Sequence, residues 1–140
     1  KKVLSREGMK RTVETSPFFA GWLEAVAADL VEAKAAIAER DFTRLGETLE
    51  RNALRMHATT LGANPPFMYW QSSTVQVMEA VQVLRESGIE AYFTIDAGPN
   101  VKVVCQPKDE ERIFAELMKL AVVQQIYRCQ IGPGVNYLEI

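Results

Sequence analysis

Metal-binding and cross-linking groups are scarce in this chain: 140 residues hold two cysteines, Cys105 and Cys129, and one histidine, His57. The cysteines form no CxxC pair, so a structural zinc site lacks ligands and no metal-binding residues are assigned. Long apolar runs are missing too; nothing approaches the ~18 residues that a helical membrane span needs. Charge of one sign is not in excess, because 16 basic residues face 18 acidic ones for a net charge of -2. The whole-molecule field therefore gives no reason to expect nucleic acid. The eight glycines are scattered, and none belongs to a Gly/Ser-rich loop ahead of a helix of the kind that cradles ATP phosphates. No apolar segment follows the charged amino terminus, so a signal peptide is not expected and a cytoplasmic protein is. The chain starts at Lys1 without an initiator methionine, and its first residues already read as structured, which suggests a piece of something longer.

What remains is an ordinary globular composition, 48% hydrophobic and 24% charged. A chain of this length buries roughly two-thirds of its unfolded surface, enough for one domain over residues 1–140. Both cysteines fall in apolar, strand-like runs and are expected as buried free thiols. Lys1, Lys2, Arg6, Lys10 and Arg11 crowd the amino terminus, but Glu7 and Glu14 interleave with them, as on a solvated face.

The apolar pattern predicts helices first. Ser5 is placed as the cap of a helix over 5–15, and Ser16-Pro17 as the start of another running to about Arg40. In that second helix Phe18, Trp22, Val26, Leu30, Ala33 and Ile37 recur at three and four and are expected to form the buried stripe. Asp41 caps a third helix carrying Phe42, Leu45, Leu49, Ala53 and Met56 to about Leu61, ended by Asn64-Pro65-Pro66. Ser72 or Ser73 caps a fourth, with Val77, Val81 and Leu84 inward, closed at Ser87-Gly88. The period then changes to two. Ala91–Ile95 and Val101–Cys105 read as a hairpin around Asp96–Asn100. Pro107-Lys108-Asp109 opens a helix with Ile113, Phe114, Leu117 and Leu120 inward, and two more extended runs are expected at about 124–131 and 135–139. The fold class is α+β, helices packed on one face of a mainly antiparallel sheet.

Three segments carry chemistry. Asp96-Ala97-Gly98-Pro99-Asn100 is a turn whose acid either caps nearby amides or stands at a hairpin tip pointing into a cleft. Ser5-Arg6-Glu7-Gly8-Met9 places a hydroxyl and a guanidinium at a helix start, where free amides and the helix dipole favour phosphate oxygens; the plainer reading is a cap followed by a surface arginine. Arg55-Met56-His57-Ala58-Thr59 contains the histidine, which reads as a packed or capping residue.

Together these strings resemble the carboxy-terminal half of the diphosphomevalonate decarboxylases, within the GHMP kinase superfamily, over essentially the whole chain. Gln130-Ile131-Gly132-Pro133-Gly134 resembles the family's closing strand and turn and is read as structural. Leu4 departs from the pattern, where many relatives carry a second serine. The resemblance implies a ferredoxin-like, GHMP kinase-type carboxy-terminal domain and an enzyme that converts mevalonate 5-diphosphate to isopentenyl diphosphate. It implies that Asp96 faces the tertiary hydroxyl of the substrate and that Ser5 and Arg6 hold its diphosphate. ATP and Mg2+ would be bound mainly by an amino-terminal half, and a homodimer is common in the family. The alternatives are half of a related small-molecule kinase, a decarboxylase acting on a monophosphate, or a non-catalytic ligand-binding or dimerisation module.

Overall fold

A computed structural model of the chain describes residues 3–138. Among these residues the elements run α1 (Ser5–Thr15), α2 (Phe19–Glu39), α3 (Phe42–Leu61), α4 (Ser72–Glu86), β1 (Ala91–Ile95), β2 (Val101–Cys105) and α5 (Glu110–Met118), α5 being entered through a 3-10 turn at Pro107–Asp109. Asp41 caps α3 as its sequence predicts, its carboxylate accepting the Arg44 amide at 3.0 Å. The serines behave differently. Leu4 takes the cap position of α1 and Ser5 is already helical. Ser16-Pro17-Phe18 first makes a turn, with the Phe19 amide on the Ser16 carbonyl at 3.2 Å, so α2 starts two residues after Pro17. Gln71 precedes α4, and its amide donates to the hydroxyl of Thr74 at 3.0 Å.

β1 and β2 form an antiparallel hairpin in register Ala91↔Cys105 to Ile95↔Val101. Alternation puts Ala91, Phe93 and Ile95 on one face, where they pack against Val81 and Leu84 of α4 and Ile113 and Leu117 of α5. Each such large side chain removed from water stabilises the fold by about 1.5–3 kcal/mol. This is the expected α+β arrangement, with α4 and α5 covering one sheet face.

α3 does something further: it closes the unpaired edge of β1. Glu50 accepts the Phe93 amide at 3.2 Å, Arg85 of α4 donates to the Ala91 carbonyl at 2.7 Å, and His57 Nε2 lies 3.1 Å from the Ile95 carbonyl. Residues 91, 93 and 95 share that edge, so side chains replace the missing strand. Glu50 and His57 are seven apart, two helical turns on one face of α3. Gly46 lets the helix come this close, because a Cβ there would sit 2.0 Å from the Tyr92 ring.

Three expectations are corrected. The buried side of α2 is centred on Asp29 and Ala36, whereas Phe18, Leu30 and Ile37 are 58%, 55% and 62% exposed. The reason is that α2 meets α3 through small residues and an ion cluster: Asp29 receives Arg51 at 3.2 Å, Asn52 at 3.2 Å and Arg55 at 2.8 Å. Burial works against the ionised form of Asp29, yet the hydrogen bonds from Asn52, Arg55 and Arg51 outweigh it and hold the carboxyl below its usual range. Second, residues 124–138 form no strand; Tyr127, Ile131, Val135 and Tyr137 are exposed, and Gly132-Pro133-Gly134 supplies neither side-chain packing nor, at the proline, a ladder donor. Residue 139, the end of the second expected run, lies outside the described residues, as do Lys1 and Lys2. Third, Cys129 is exposed rather than buried, because it belongs to this unpaired stretch; Cys105 is half-buried, and burial raises its thiol pKa. No helix among the described residues is long and apolar enough to cross a membrane.

Candidate functional site

The site begins with how α1 is seated. Gly8 packs on the Phe67–Tyr69 segment so tightly that a Cβ would lie 2.2 Å from the Tyr69 hydroxyl. The guanidinium of Arg11 rests over the Phe67 ring at 5.3 Å and is paired with Glu7 at 2.7 Å, while Lys10 pairs with Glu14 at 3.9 Å. The Asn64 amide reaches the Thr15 hydroxyl at 2.8 Å. α1 is thereby held over the carboxy-terminal end of α3.

Between α1, the start of α2, the end of α3 and the Asp96-Ala97 turn lies a cleft of about 420 Å³. α1 lines it with Ser5, Gly8, Met9, Thr12 and Val13, α2 with Phe19 and Trp22, and α3 with Met56, Thr59 and Thr60; Tyr69, Asp96 and Ala97 complete it. Two residues far apart in the sequence, Ser5 and Asp96, therefore share one cavity. Arg6 is exposed and is not part of that lining.

The walls are mainly apolar, with polar atoms at chosen points. The Thr12 hydroxyl and the Trp22 indole nitrogen are buried and have no hydrogen-bond partner among the described residues. Thr59 donates to the Met56 carbonyl at 2.6 Å and Thr60 to the His57 carbonyl at 2.8 Å, which leaves both hydroxyl oxygens able to accept. An apolar cavity with a few polar groups is the usual form of a small-molecule site.

Asp96 stands at the rim. The turn is closed by its backbone carbonyl, which accepts the Gly98 amide at 2.7 Å, while its carboxylate forms an ion pair with Lys102. The far side of the turn is tied to α4, since the Thr74 hydroxyl donates to the Pro99 carbonyl at 2.8 Å. Both ends of the loop are thus fixed to rigid elements, and the acid is presented to solvent and cleft.

His57 lies directly behind. It is 2% exposed and boxed by Trp70 at 4.9 Å and Tyr69 at 6.2 Å between ring centres. Burial lowers its pKa, opposed by the Ile95 hydrogen bond and by the charge of Asp96. This matches the packed role read from its sequence.

Sequence reasoning missed Lys102, Thr12, Trp22 and Tyr69. Lys102 alone had a usable signal: in a hairpin pairing Ile95 with Val101 and Thr94 with Lys102, alternation puts Lys102 on the same face as Asp96, diagonally across from it. Among the described residues no group of three or more His, Cys, Asp and Glu could hold a metal ion. A second cleft of about 370 Å³ lies on the other side of α3, lined by Glu47, Glu50, Arg51, Leu54, Arg55, Arg85 and Tyr92. Its arginines are taken, Arg51 and Arg55 by Asp29 and Arg85 by Glu50 in a two-point pair at 2.9 and 3.0 Å.

Comparisons agree on one family. The model of the mevalonate 5-diphosphate decarboxylase C-terminal domain matches residues 1–134. Diphosphomevalonate decarboxylase of Candida albicans is 28% identical over 93% of this chain and 41% of its own length. The solved mevalonate diphosphate decarboxylase of Staphylococcus aureus superposes with a TM-score of 0.83 at 50% identity, over 85% of this chain and 36% of that one. A solved complex of MDDEF with MVAPP, AMPPCP and magnesium gives a TM-score of 0.82 at 54% identity, over 84% and 36%. The chain therefore spans well under half the length of these relatives. With an α+β core, Ser5 and Asp96 on one cleft and a family match across nearly all its residues, this chain belongs to the mevalonate 5-diphosphate decarboxylase C-terminal domain family.

Proposed function

We propose that this chain is the carboxy-terminal part of an ATP-dependent decarboxylase that converts mevalonate 5-diphosphate to isopentenyl diphosphate. The observation that carries the reading is the meeting of Ser5 and Asp96 in one largely apolar cleft. In the complete reaction ATP phosphorylates the tertiary hydroxyl, and phosphate and carbon dioxide then leave, so ADP, phosphate, carbon dioxide and isopentenyl diphosphate are the products.

Asp96 orients the hydroxyl and accepts its proton as phosphoryl transfer proceeds. A carboxylate is a weak base, so alignment with late proton acceptance is the effective contribution. The ion pair with Lys102 keeps the carboxylate aimed. Ser5 donates its hydroxyl to the diphosphate at the start of α1, where backbone amides and the helix dipole add to the attraction. Arg6, exposed next to it, closes on the diphosphate from outside the cavity. The apolar wall of Met9, Val13, Phe19 and Met56 takes the hydrocarbon part.

ATP and Mg2+ are assigned to an amino-terminal half of the same enzyme, because this chain offers no glycine-rich phosphate loop and no metal cluster among the described residues. A bound nucleotide analogue and magnesium in the MDDEF complex support their use by the complete enzyme. A homodimer is supported by the exposed apolar stripe of Leu23, Leu30, Val31 and Ile37 on α2, larger than an isolated surface residue. A cytoplasmic location fits the free cysteines.

The test is a paired assay of the complete polypeptide with mevalonate 5-diphosphate and Mg-ATP. Equal release of ADP and carbon dioxide is expected. ADP without carbon dioxide would show a kinase, and turnover of the monophosphate but not the diphosphate would show the related decarboxylase.

A further inference from the structure

We propose that His57 is a positioning residue for Asp96, acting through the last carbonyl of β1. The inference rests on the reading of Asp96 as the group that meets the substrate hydroxyl, and it assigns to the only histidine a role beyond filling the core.

The geometry begins at the edge of β1. Ala91 and Phe93 are held there by Arg85 and Glu50, and Ile95 by His57. The first two contacts secure the start and the middle of the strand. The third secures the residue that immediately precedes Asp96. A carbonyl oxygen only accepts, so the 3.1 Å contact requires a proton on His57 Nε2. The other ring nitrogen, Nδ1, is buried without a hydrogen-bond partner among the described residues, which suits a bare lone pair better than an N–H. The neutral ring with its proton on Nε2 is therefore the form the site selects.

Trp70 and Tyr69 fix the ring's plane, and Thr60 adds a bond to the His57 carbonyl at 2.8 Å, so the histidine has little freedom to tilt. On the other side the turn is held by Thr74 on Pro99. The backbone on which Asp96 sits is thus clamped at Ile95 by α3 and at Pro99 by α4. Phosphoryl transfer depends on alignment to within a fraction of an ångström, and an acid on a five-residue turn has that precision only if both ends are fixed. Without the Ile95 clamp the strand end frays, the carboxylate samples several directions, and substrate still binds through Ser5 and Arg6. The predicted signature is a fall in kcat with little change in KM.

The experiment compares variants of the complete polypeptide. His57→Phe keeps an aromatic ring in the Trp70 and Tyr69 box but removes the donor; His57→Gln keeps an N–H donor near the Nε2 position. For His57→Phe the expected result is kcat lower by ~10–100-fold, with KM within about twofold. His57→Gln should recover most of that loss. Where His57→Phe does not accumulate in folded form, His57→Asn serves, since its amide is too short to reach Ile95 and the same loss is expected. In an Asp96→Asn background the His57→Phe loss should vanish, because a residue that acts through Asp96 has nothing left to position.

Equal kcat for His57→Phe and the parent, equal impairment of His57→Gln and His57→Phe, or an undiminished His57→Phe loss in the Asp96→Asn background would each overturn the proposal. A parent enzyme that releases no carbon dioxide would instead overturn the functional reading beneath it.

Discussion

The two clefts that flank α3 are similar in size and opposite in chemistry. On one side, about 370 Å³ is bordered by Arg51, Arg55 and Arg85, which looks like an anion site until their partners are counted. Asp29 and Glu50 already hold those guanidinium groups, and the pairs join α2 to α3 and α3 to α4. On the other side, about 420 Å³ is mostly apolar, yet two of its polar groups are unused by the fold: the Thr12 hydroxyl and Trp22 indole are buried without partners among the described residues, while Asp96 pairs with an exposed lysine. Charge density does not locate a binding site; polar groups not already used by the fold do.

Several variants of the complete polypeptide would sharpen or break this contrast. The largest effect is expected at Asp96→Asn, where kcat should fall ~10²–10⁴-fold while the melting temperature and ATP binding persist. Asparagine can still serve a turn, so near-parental turnover would return Asp96 to a structural role.

On the opposite side the loss should be of stability. Asp29→Ala removes the buried acceptor of Arg51, Asn52 and Arg55. Because both arginines are half-exposed, the expected cost is about 2 kcal/mol rather than the 3–5 typical of fully buried pairs. Thermal unfolding would show it, with kcat per folded molecule retained. A selective loss of substrate affinity would instead make the arginine cleft a ligand site.

Ser5→Ala should weaken the substrate constant by up to about tenfold and leave the ATP constant in place, since one hydrogen bond to a charged acceptor is at stake. An unchanged substrate constant would reduce Ser5 to a helix-end residue.

The smallest effect concerns pH. Burial lowers the His57 pKa from its ordinary 6.5 in the folded state. Between the folded value and 6.5 the unfolded chain binds the extra proton, so the histidine's contribution is intact above 6.5 and is lost as pH falls below it, by at most about 1.4 kcal/mol per unit. Melting temperatures measured at pH 7.5 and 5.5 should diverge less in His57→Gln than in the parent.

How much of this could be read from the sequence depended on which forces are local. Helix and hairpin positions follow from periodicity and from Asp41, Gly88 and the prolines, and they hold within a few residues. The stripe of α2 does not, because periodicity finds large apolar residues while the α2–α3 contact is made by Ala36 and by an ion cluster around Asp29. Tyr127, Ile131 and Val135 alternate like a strand, but alternation does not provide the neighbouring edge that pairing requires. Asp96 and Ser5 were legible as motifs; that they face one cavity depends on Gly8 meeting Tyr69 and Gly46 meeting Tyr92, approaches that only the folded chain reveals. Thr12 and Trp22 carry no signal in one sequence, being ordinary residues of amphipathic helices until their polar atoms are found unpaired.

The central claim is that substrate occupies the apolar cleft beside Asp96 and not the arginine-bordered one. A crystal structure of the complete polypeptide with mevalonate 5-diphosphate tests it directly. The account predicts the diphosphate within hydrogen-bond distance of Ser5 and the tertiary hydroxyl within hydrogen-bond distance of the Asp96 carboxylate; density for the ligand against Arg51, Arg55 and Arg85 would contradict it.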